Sequence, residues 1–459
     1  MATDKTPDPT LLAAIFKAYD VRGMVPDQLD DDLARRVGGA FVRVTGAGGA
    51  SVVVGHDMRP SSPAMARAFA EGAAAAGADV SMIGLASTDE LYFASGHLAC
   101  PGAMFTASHN PAQYNGIKMC RANAAPVGME SGLAEIRDMV AAGEQPTAAR
   151  AGRITEIDVL GDYDDYLLSL VPIRGRRLTV AVDAGNGMAG HTAPAVLGRL
   201  DLEVVPMYFE LDGTFPHHEA NPIQPENMRD LQAKVREVRA DIGLAFDGDA
   251  DRCFVVDERG DTVNPSILTA LIAARELRKE PGAAIIHNLI TSRAVPAIVT
   301  ELGGRPVRTR VGHSFIKATM AETNAIFGGE HSGHFYFRDF WRADSGMLAA
   351  LHTMAALAET DQPLSTLLAE YARFSSSGEI NSTVEDQAAV LRDLEEQYAG
   401  RPGVSLDHLD GLSVSHEDWW FNVRASNTEP LLRLNAEGKD EPTMARVRDD
   451  ALATIRRDV

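Results

Sequence analysis

Short apolar runs alternate with turns of small and polar residues along most of this chain. Ser51-Val-Val-Val54 runs into Gly55-His-Asp57-Met-Arg59, and an alanine-rich stretch at 63–76 follows. A strand, a Gly/Asp turn and a helix make a βα unit. A strand near 79–84, a helix near 89–99 and the apolar run Gly102-Ala-Met-Phe105 extend the pattern, and the polar stretch 143–153 reads as a linker. The pattern restarts at Leu178-Thr-Val-Ala-Val182, which leads into Asp183-Ala-Gly185-Asn186-Gly187; 242–246 and 253–256 are further strands. A third restart at Ala283-Ala-Ile-Ile286 passes through helices and Gly312-His313-Ser314. Residues 374–378 (Phe-Ser-Ser-Ser-Gly) read as a second linker. Beyond them, helices near 386–398 and 441–456 flank strands at 411–415, 420–425 and 431–436. The expected architecture is three related α/β domains (1–153, 154–258, 259–373) and a C-terminal α+β domain (374–459).

Four polar, loop-like segments interrupt this pattern. In Thr106-Ala107-Ser108-His109-Asn110-Pro111, the proline excludes an ordinary helix, so Ser108 sits on a tight loop at a strand end. Asn115-Gly116 then reads as a turn that returns Lys118 towards the serine. Asp247, Asp249 and Asp251 alternate with Gly248 and Ala250, which lets the backbone curl until three carboxylates share one hard cation, Mg²⁺ rather than zinc. With Glu258 these aspartates also fit a calcium EF-hand loop, but Arg252 stands where that loop needs glycine, so that reading is rejected. Glu330-His331-Ser332-Gly333-His334 offers donors and acceptors suited to sugar hydroxyls. Arg424, Ser426, Asn427 and Thr428, before Glu429-Pro430, combine a guanidinium, hydroxyls and an amide as a phosphate dianion requires. Earlier, Tyr19 and Arg22 precede Gly23, and His313 follows a glycine where it either contacts a sugar phosphate or caps a helix. The adjacent Trp419 and Trp420 read as hairpin packing, with at most one needed in a core.

Composition narrows the partners. The 459 residues carry 43 basic and 64 acidic side chains, a formal net charge of -21, which argues against nucleic acid or an anionic membrane as partner. No apolar run is long enough to span a bilayer and no apolar signal core opens the chain. Cys100, Cys120 and Cys253 lack metal spacing and read as reduced thiols of a cytoplasmic protein, expected as a monomer or weak dimer.

The four segments, in this order and spacing over essentially the whole chain, resemble the α-D-phosphohexomutase superfamily and within it the phosphomannomutase/phosphoglucomutase group. The resemblance implies a heart-shaped, four-domain α/β molecule with one loop per domain in a central cleft. It implies that Ser108 is the phosphoserine and that Asp247, Asp249 and Asp251 hold Mg²⁺ with an oxygen of the Ser108 phosphoryl group. Arg22 and Lys118 then assist proton transfer, with His109 beside them in the catalytic set. Glu330 and Ser332 read sugar O3 and O4, while Tyr19, Arg252, His313 and His334 line the substrate site. Arg424, Ser426, Asn427 and Thr428 clamp the non-reacting phosphate.

The implied reaction interconverts mannose 1-phosphate and mannose 6-phosphate through a 1,6-bisphosphate that also serves as activator, with glucose phosphates as further substrates. His331 argues against the nearest alternative, a phosphoglucosamine mutase, where glutamine is usual. A metal-dependent sugar-phosphate phosphatase is the alternative of another class, though no second carboxylate or histidine cluster in the sequence suggests a second metal. One departure stands in the first domain: many relatives carry Pro-Thr-Pro where this chain reads Ala86-Ser87-Thr88-Asp89-Glu90-Leu91-Tyr92. This stretch is expected to touch none of the catalytic loops and to alter only the packing beneath them.

Overall fold

The computed structural model describes residues 8–425 and 431–457. The chain forms two compact units, one of Met1–Val263 with Ser332–Ser365, the other of Asn264–His331 with Thr366–Val459.

In the first unit, a six-strand path runs Asp20–Met24, Tyr114–Arg121, Gly102–Phe105, Ser51–His56, Asp79–Leu85, Ile154–Glu156. The strand Ser51–His56 is parallel to both Asp79–Leu85 and Gly102–Phe105. Parallel strands buried on both faces need continuous apolar residues, and Val52, Val53 and Val54 are fully buried. The helix Asp31–Thr45 starts at Asp30, whose carboxylate accepts the Leu33 N–H, and stops at left-handed Gly46. The second sheet runs Thr262–Val263, Cys253–Asp257, Ile242–Phe246, Leu178–Asp183, Leu202–Met207. Gly102–Phe105 and Ile242–Phe246 thus deliver the serine loop and the aspartate loop from the carboxyl ends of parallel strands.

In the second unit, Ala284–Asn288 pairs in parallel with Arg305–Thr309 and with Phe327–Gly329. A separate antiparallel sheet runs Ser375–Thr383, Leu431–Gly438, Trp419–Ala425, Leu412–Ser415, Ser405–Asp407. It packs with the helices Gln387–Tyr398 and Glu441–Ile455 around Phe421, Val423, Leu432 and Leu434.

Three sequence expectations need correction. Asn115-Gly116 is no turn but lies inside the strand Tyr114–Arg121. A Cβ on Gly116 would stand 2.5 Å from the Val21 carbonyl oxygen and 2.7 Å from that of Thr106, so the glycine serves strand approach. Asn115, fully buried, donates to Ser61 and Ser62 instead of opening a hairpin. Residues 375–378 are not a linker either; they belong to the strand Ser375–Thr383, whose register slips between Ser376 and Glu379. Such a bulge explains why serine and glycine hide a strand here. Finally, Trp419 and Trp420 are both buried, because adjacent strand residues face opposite ways. Trp419 joins the core of that sheet; Trp420 packs on Leu289 and Ile290 and donates to Glu437 at 2.7 Å. The three cysteines are buried free thiols, and among the described residues no helix is long and apolar enough to cross a membrane.

Glu90, in the helix Thr88–His97, is buried, and its Oε2 has no hydrogen-bond partner. Burial first, then Asp89, Asp158 and Asp164, push its pKa up to about 8; burial holds the nearby His191, at 3.8 Å, below its usual value. A carboxyl whose folded pKa is raised takes up a proton on folding. Its contribution to stability is complete below its ordinary value of 4.5 and is lost as pH rises through about 8. In melting curves from pH 6 to 8.5, Glu90→Gln should therefore lose less stability with rising pH than the wild type. Parallel curves would show that Glu90 carries no such linkage.

Candidate active site

The serine loop is built around a strained residue and a buried guanidinium. Ser108 has φ 49°, a left-handed conformation uncommon for residues other than glycine. Its N–H donates to Thr106 Oγ1 at 2.9 Å. Its carbonyl accepts from Arg59 Nη2 at 2.9 Å, and the same guanidinium donates to the carbonyls of Asn110, Pro111 and Tyr114. Arg59 Nε reaches Asp57 Oδ2 at 3.2 Å, and both side chains are buried. Burial raises the Asp57 pKa even though Arg59 opposes it.

The aspartate loop meets this loop at close quarters. A Cβ on Gly248 would stand 2.3 Å from the Ser108 carbonyl oxygen, so only glycine admits the approach. Ser108 Oγ donates to Asp247 Oδ2 at 2.7 Å and lies 3.1 Å from His109 Nδ1. Arg252 donates to Asp247 Oδ2 and to His109 Nδ1, which fixes that ring nitrogen as an acceptor. Burial, Arg252 and Arg22 hold the His109 pKa well below its usual value. Arg22, on the strand Asp20–Met24, pairs with Asp20 and donates to Asn110 Oδ1 at 2.5 Å. Tyr19 is half-buried at the bend before that strand.

Asp247, Asp249 and Asp251 are fully or almost fully buried, and one oxygen of each lies within 4.8 Å of the others. Lys118 Nζ bonds Asp249 Oδ2 at 2.6 Å and Asp251 Oδ2 at 2.5 Å. Burial alone would lower the Lys118 pKa, but these two carboxylates outweigh it and keep the ammonium charged. For Asp249 the burial cost is likewise overcome, by Lys118 and by hydrogen bonds from Lys118 and Thr88, and its pKa is lowered. Asp247 goes the other way, raised to about 7 by burial. The other oxygens, Asp249 Oδ1 and Asp251 Oδ1, are buried without a hydrogen-bond partner. Buried carboxylate oxygens without donors suit a hard cation, so the residues present fit a metal of the Mg²⁺ type. Glu258 instead accepts from Ser365, away from this cluster, which is consistent with rejecting the calcium loop.

Two expectations about this region fail. The stretch 86–92 does touch the aspartate loop: Thr88 Oγ1 donates to Asp249 Oδ2 at 2.6 Å, and its N–H donates to the Asp249 carbonyl at 2.9 Å. A separation of 161 residues hid the contact from the sequence. A second group of possible ligands also exists, formed by Asp251, His334 and Asp344. The antiparallel bridge Arg252↔His334 assembles it from distant segments. His334 Nδ1 lies 2.9 Å from Ser332 Oγ, and its Nε2 lies 3.6 Å from Asp251 Oδ1.

The remaining expected residues lie in the second unit. Glu330 is buried and accepts from Asn288 Nδ2 at 3.1 Å and from the Gly312 N–H at 3.2 Å. His313 opens the helix His313–Thr323, and its side chain lies outside those described. Arg424 Nη2 pairs with Glu379 Oε2 at 2.6 Å, while Arg433, opposite it across the strands, lies 3.5 Å from the other oxygen. Ser426, Asn427 and Thr428 fall outside the described residues. Sequence reasoning assigned no role to Arg59, Asp57, Thr88 or Glu379. The Asp-x-Arg spacing at a strand end was the available signal for the first pair; the others are visible only in three dimensions.

Comparison with known proteins identifies the family of the chain. Models of the phosphoglucomutase/phosphomannomutase family match in four parts: the α/β/α domains I, II and III at residues 13–147, 162–260 and 264–374, and the C-terminal domain at 379–454. Phosphohexose mutases of Xanthomonas campestris are 42% identical over 96% of this chain and 99% of theirs. The phosphomannomutase/phosphoglucomutase of Pseudomonas aeruginosa is 36% identical over 98% of this chain and 96% of its own. A phosphoglucomutase/phosphomannomutase family protein from Burkholderia thailandensis superposes with a TM-score of 0.88, at 34% identity over 97% of this chain and 98% of its own. Fold and sequence together define a phosphohexomutase-type enzyme, and the chain belongs to the phosphoglucomutase/phosphomannomutase family.

Replacing Arg59 by methionine removes the donors of four carbonyls and strands a buried carboxylate. Arg59→Met should cost about 3–5 kcal/mol in the first urea transition followed by circular dichroism. Adding Asp57→Asn should recover part of it. A loss below about 1 kcal/mol would show that the loop does not depend on this residue.

Proposed function

We propose that the enzyme interconverts hexose 1-phosphates and hexose 6-phosphates, mannose phosphates first and glucose phosphates also, through a phosphoserine at Ser108. One observation carries this reading: a strained, buried serine hydroxyl lies 2.7 Å from the first of three clustered aspartates. The names of the relatives, phosphomannomutase in Escherichia coli at 39% identity among them, support the choice of sugar.

Asp247, Asp249 and Asp251 hold Mg²⁺ in this reading; when bound, it supplies positive charge that offsets the charge on the transferring phosphoryl group. The chain's own groups do the positioning. In the first half-reaction the O6 hydroxyl of a hexose 1-phosphate attacks the phosphorus of phosphoserine 108. The P–Oγ bond breaks with its electron pair on Oγ, and the O6 proton ends there. Lys118, kept charged by two aspartates, relays that proton: its ammonium gives one to Oγ and the amine left behind takes up the one from O6, while Arg22 steadies the charge beside it. The 1,6-bisphosphate then turns over, and its 1-phosphoryl group returns to Ser108 in the reverse sense, leaving hexose 6-phosphate. Glu330 and Ser332 are proposed to read sugar hydroxyls, with Tyr19, Arg252, His313 and His334 around the substrate. Arg424, Ser426, Asn427 and Thr428 hold the phosphate that is not reacting.

The reading extends to a cytoplasmic protein with no nucleic-acid or membrane partner. What supports it is the net charge of -21 and the three buried free thiols.

The test is ³¹P NMR with mannose 1-phosphate, Mg²⁺ and a trace of glucose 1,6-bisphosphate. Mannose 6-phosphate is expected, and Ser108→Ala, folded by circular dichroism, should lose turnover by at least about 10³-fold. Release of inorganic phosphate would make the enzyme a hydrolase, the reading that the Asp251–His334–Asp344 group would favour. Turnover kept by Ser108→Ala would remove the phosphoserine from the mechanism.

A further inference from the structure

The turn that departs from the family pattern opens the helix Thr88–His97, with Ser87 as its N-cap. Its residues are fixed on several sides. Ser87 Oγ accepts the Glu90 N–H and donates to Asp89. Asp89 Oδ2 accepts from Tyr163 OH at 2.8 Å and from Ser345 Oγ at 2.6 Å. Thr88, fully buried between them, is the residue that meets the aspartate loop.

Thr88 holds Asp249 twice, its N–H on the backbone carbonyl and its hydroxyl on Oδ2. The Lys118 ammonium is the second donor to that same oxygen. Two donors on Oδ2 fix the carboxylate's rotation, and Oδ1 is left buried without a hydrogen-bond partner, on a residue whose carboxylate clusters with those of Asp247 and Asp251. We propose that Thr88 is a positioning residue for the divalent cation: its hydroxyl orients Asp249 so that Oδ1 serves as the ligating oxygen. The proposal rests on the metal reading above and adds a residue to it. Outer donors of this kind set the orientation and the affinity of metal-ligating carboxylates.

Mn²⁺ binding, read from the electron paramagnetic resonance signal of the free ion, tests this without turnover. Wild type, Thr88→Val, Thr88→Ala, Thr88→Ser and Asp249→Asn are titrated, each checked for native near-ultraviolet circular dichroism. Loss of the hydroxyl in Thr88→Val should raise the Mn²⁺ Kd by about 10-fold or more, while Thr88→Ser stays within about threefold of wild type. Thr88→Ala removes the hydroxyl without placing a methyl against a carboxylate, and serves if the valine variant does not fold. Wild-type affinity in either hydroxyl-free variant would overturn the proposal. So would an equal loss in Thr88→Ser, which would assign the effect to methyl packing. Equal Mn²⁺ binding by wild type and Asp249→Asn would overturn the metal reading itself, and the proposal with it.

Discussion

The guanidinium of Arg59 is closed inside the serine loop, and the rest of the site depends on it. A turn that holds a nucleophile in a left-handed conformation points several carbonyls at one spot, away from any partner on a neighbouring strand, and the buried guanidinium stands there. Each would cost about 1–3 kcal/mol if left without a donor. Arginine is the one side chain with five donors in a fixed plane, and here it serves four carbonyls and a carboxylate. Lysine has too few donors and the wrong shape. The Asp57 carboxylate balances the charge that this solution buries.

On that support a second constraint acts, the distance between two loops that arrive from different sheets. Gly248 lets the aspartate loop close on the Ser108 carbonyl, and Arg252 then bridges Asp247 and His109. Charges alternate through the cluster: Lys118 lies between Asp249 and Asp251, and Arg252 pairs with Asp247. Each buried ion has a partner of opposite sign, without which its desolvation would be prohibitive. Neutral His109 fits this pattern, since a further cation beside Arg252 and Arg22 would be repelled.

Much of this was legible in the chain. Apolar runs ending in Ser108 and in Asp247 mark strands whose ends carry chemistry, and the C-terminal helices and strands fall where alternation places them. Local signals misled where tertiary packing overrode them. Asn115-Gly116 spells a hairpin, yet the glycine answers two carbonyls from other segments, which no local reading reveals. Residues 374–378 spell a linker because a bulge and a half-exposed pattern dilute the signal of the strand Ser375–Thr383 that begins there. Thr88 stands in a stretch expected to touch no catalytic loop, and the 161 positions that separate it from Asp249 hide what its hydroxyl touches. Glu379, beside Arg424, directly follows the stretch 374–378 that reads as a linker, and it carries no motif of its own.

The backbone angle of Ser108 has a consequence for which amino acid can do this work. Threonine carries the same hydroxyl and accepts phosphoryl groups in other settings. A β-branched side chain, however, crowds its own carbonyl in the left-handed region, and at φ 49° it would be a true outlier. The fold therefore chooses between two chemically equivalent alcohols before any substrate arrives, and it admits only the unbranched one.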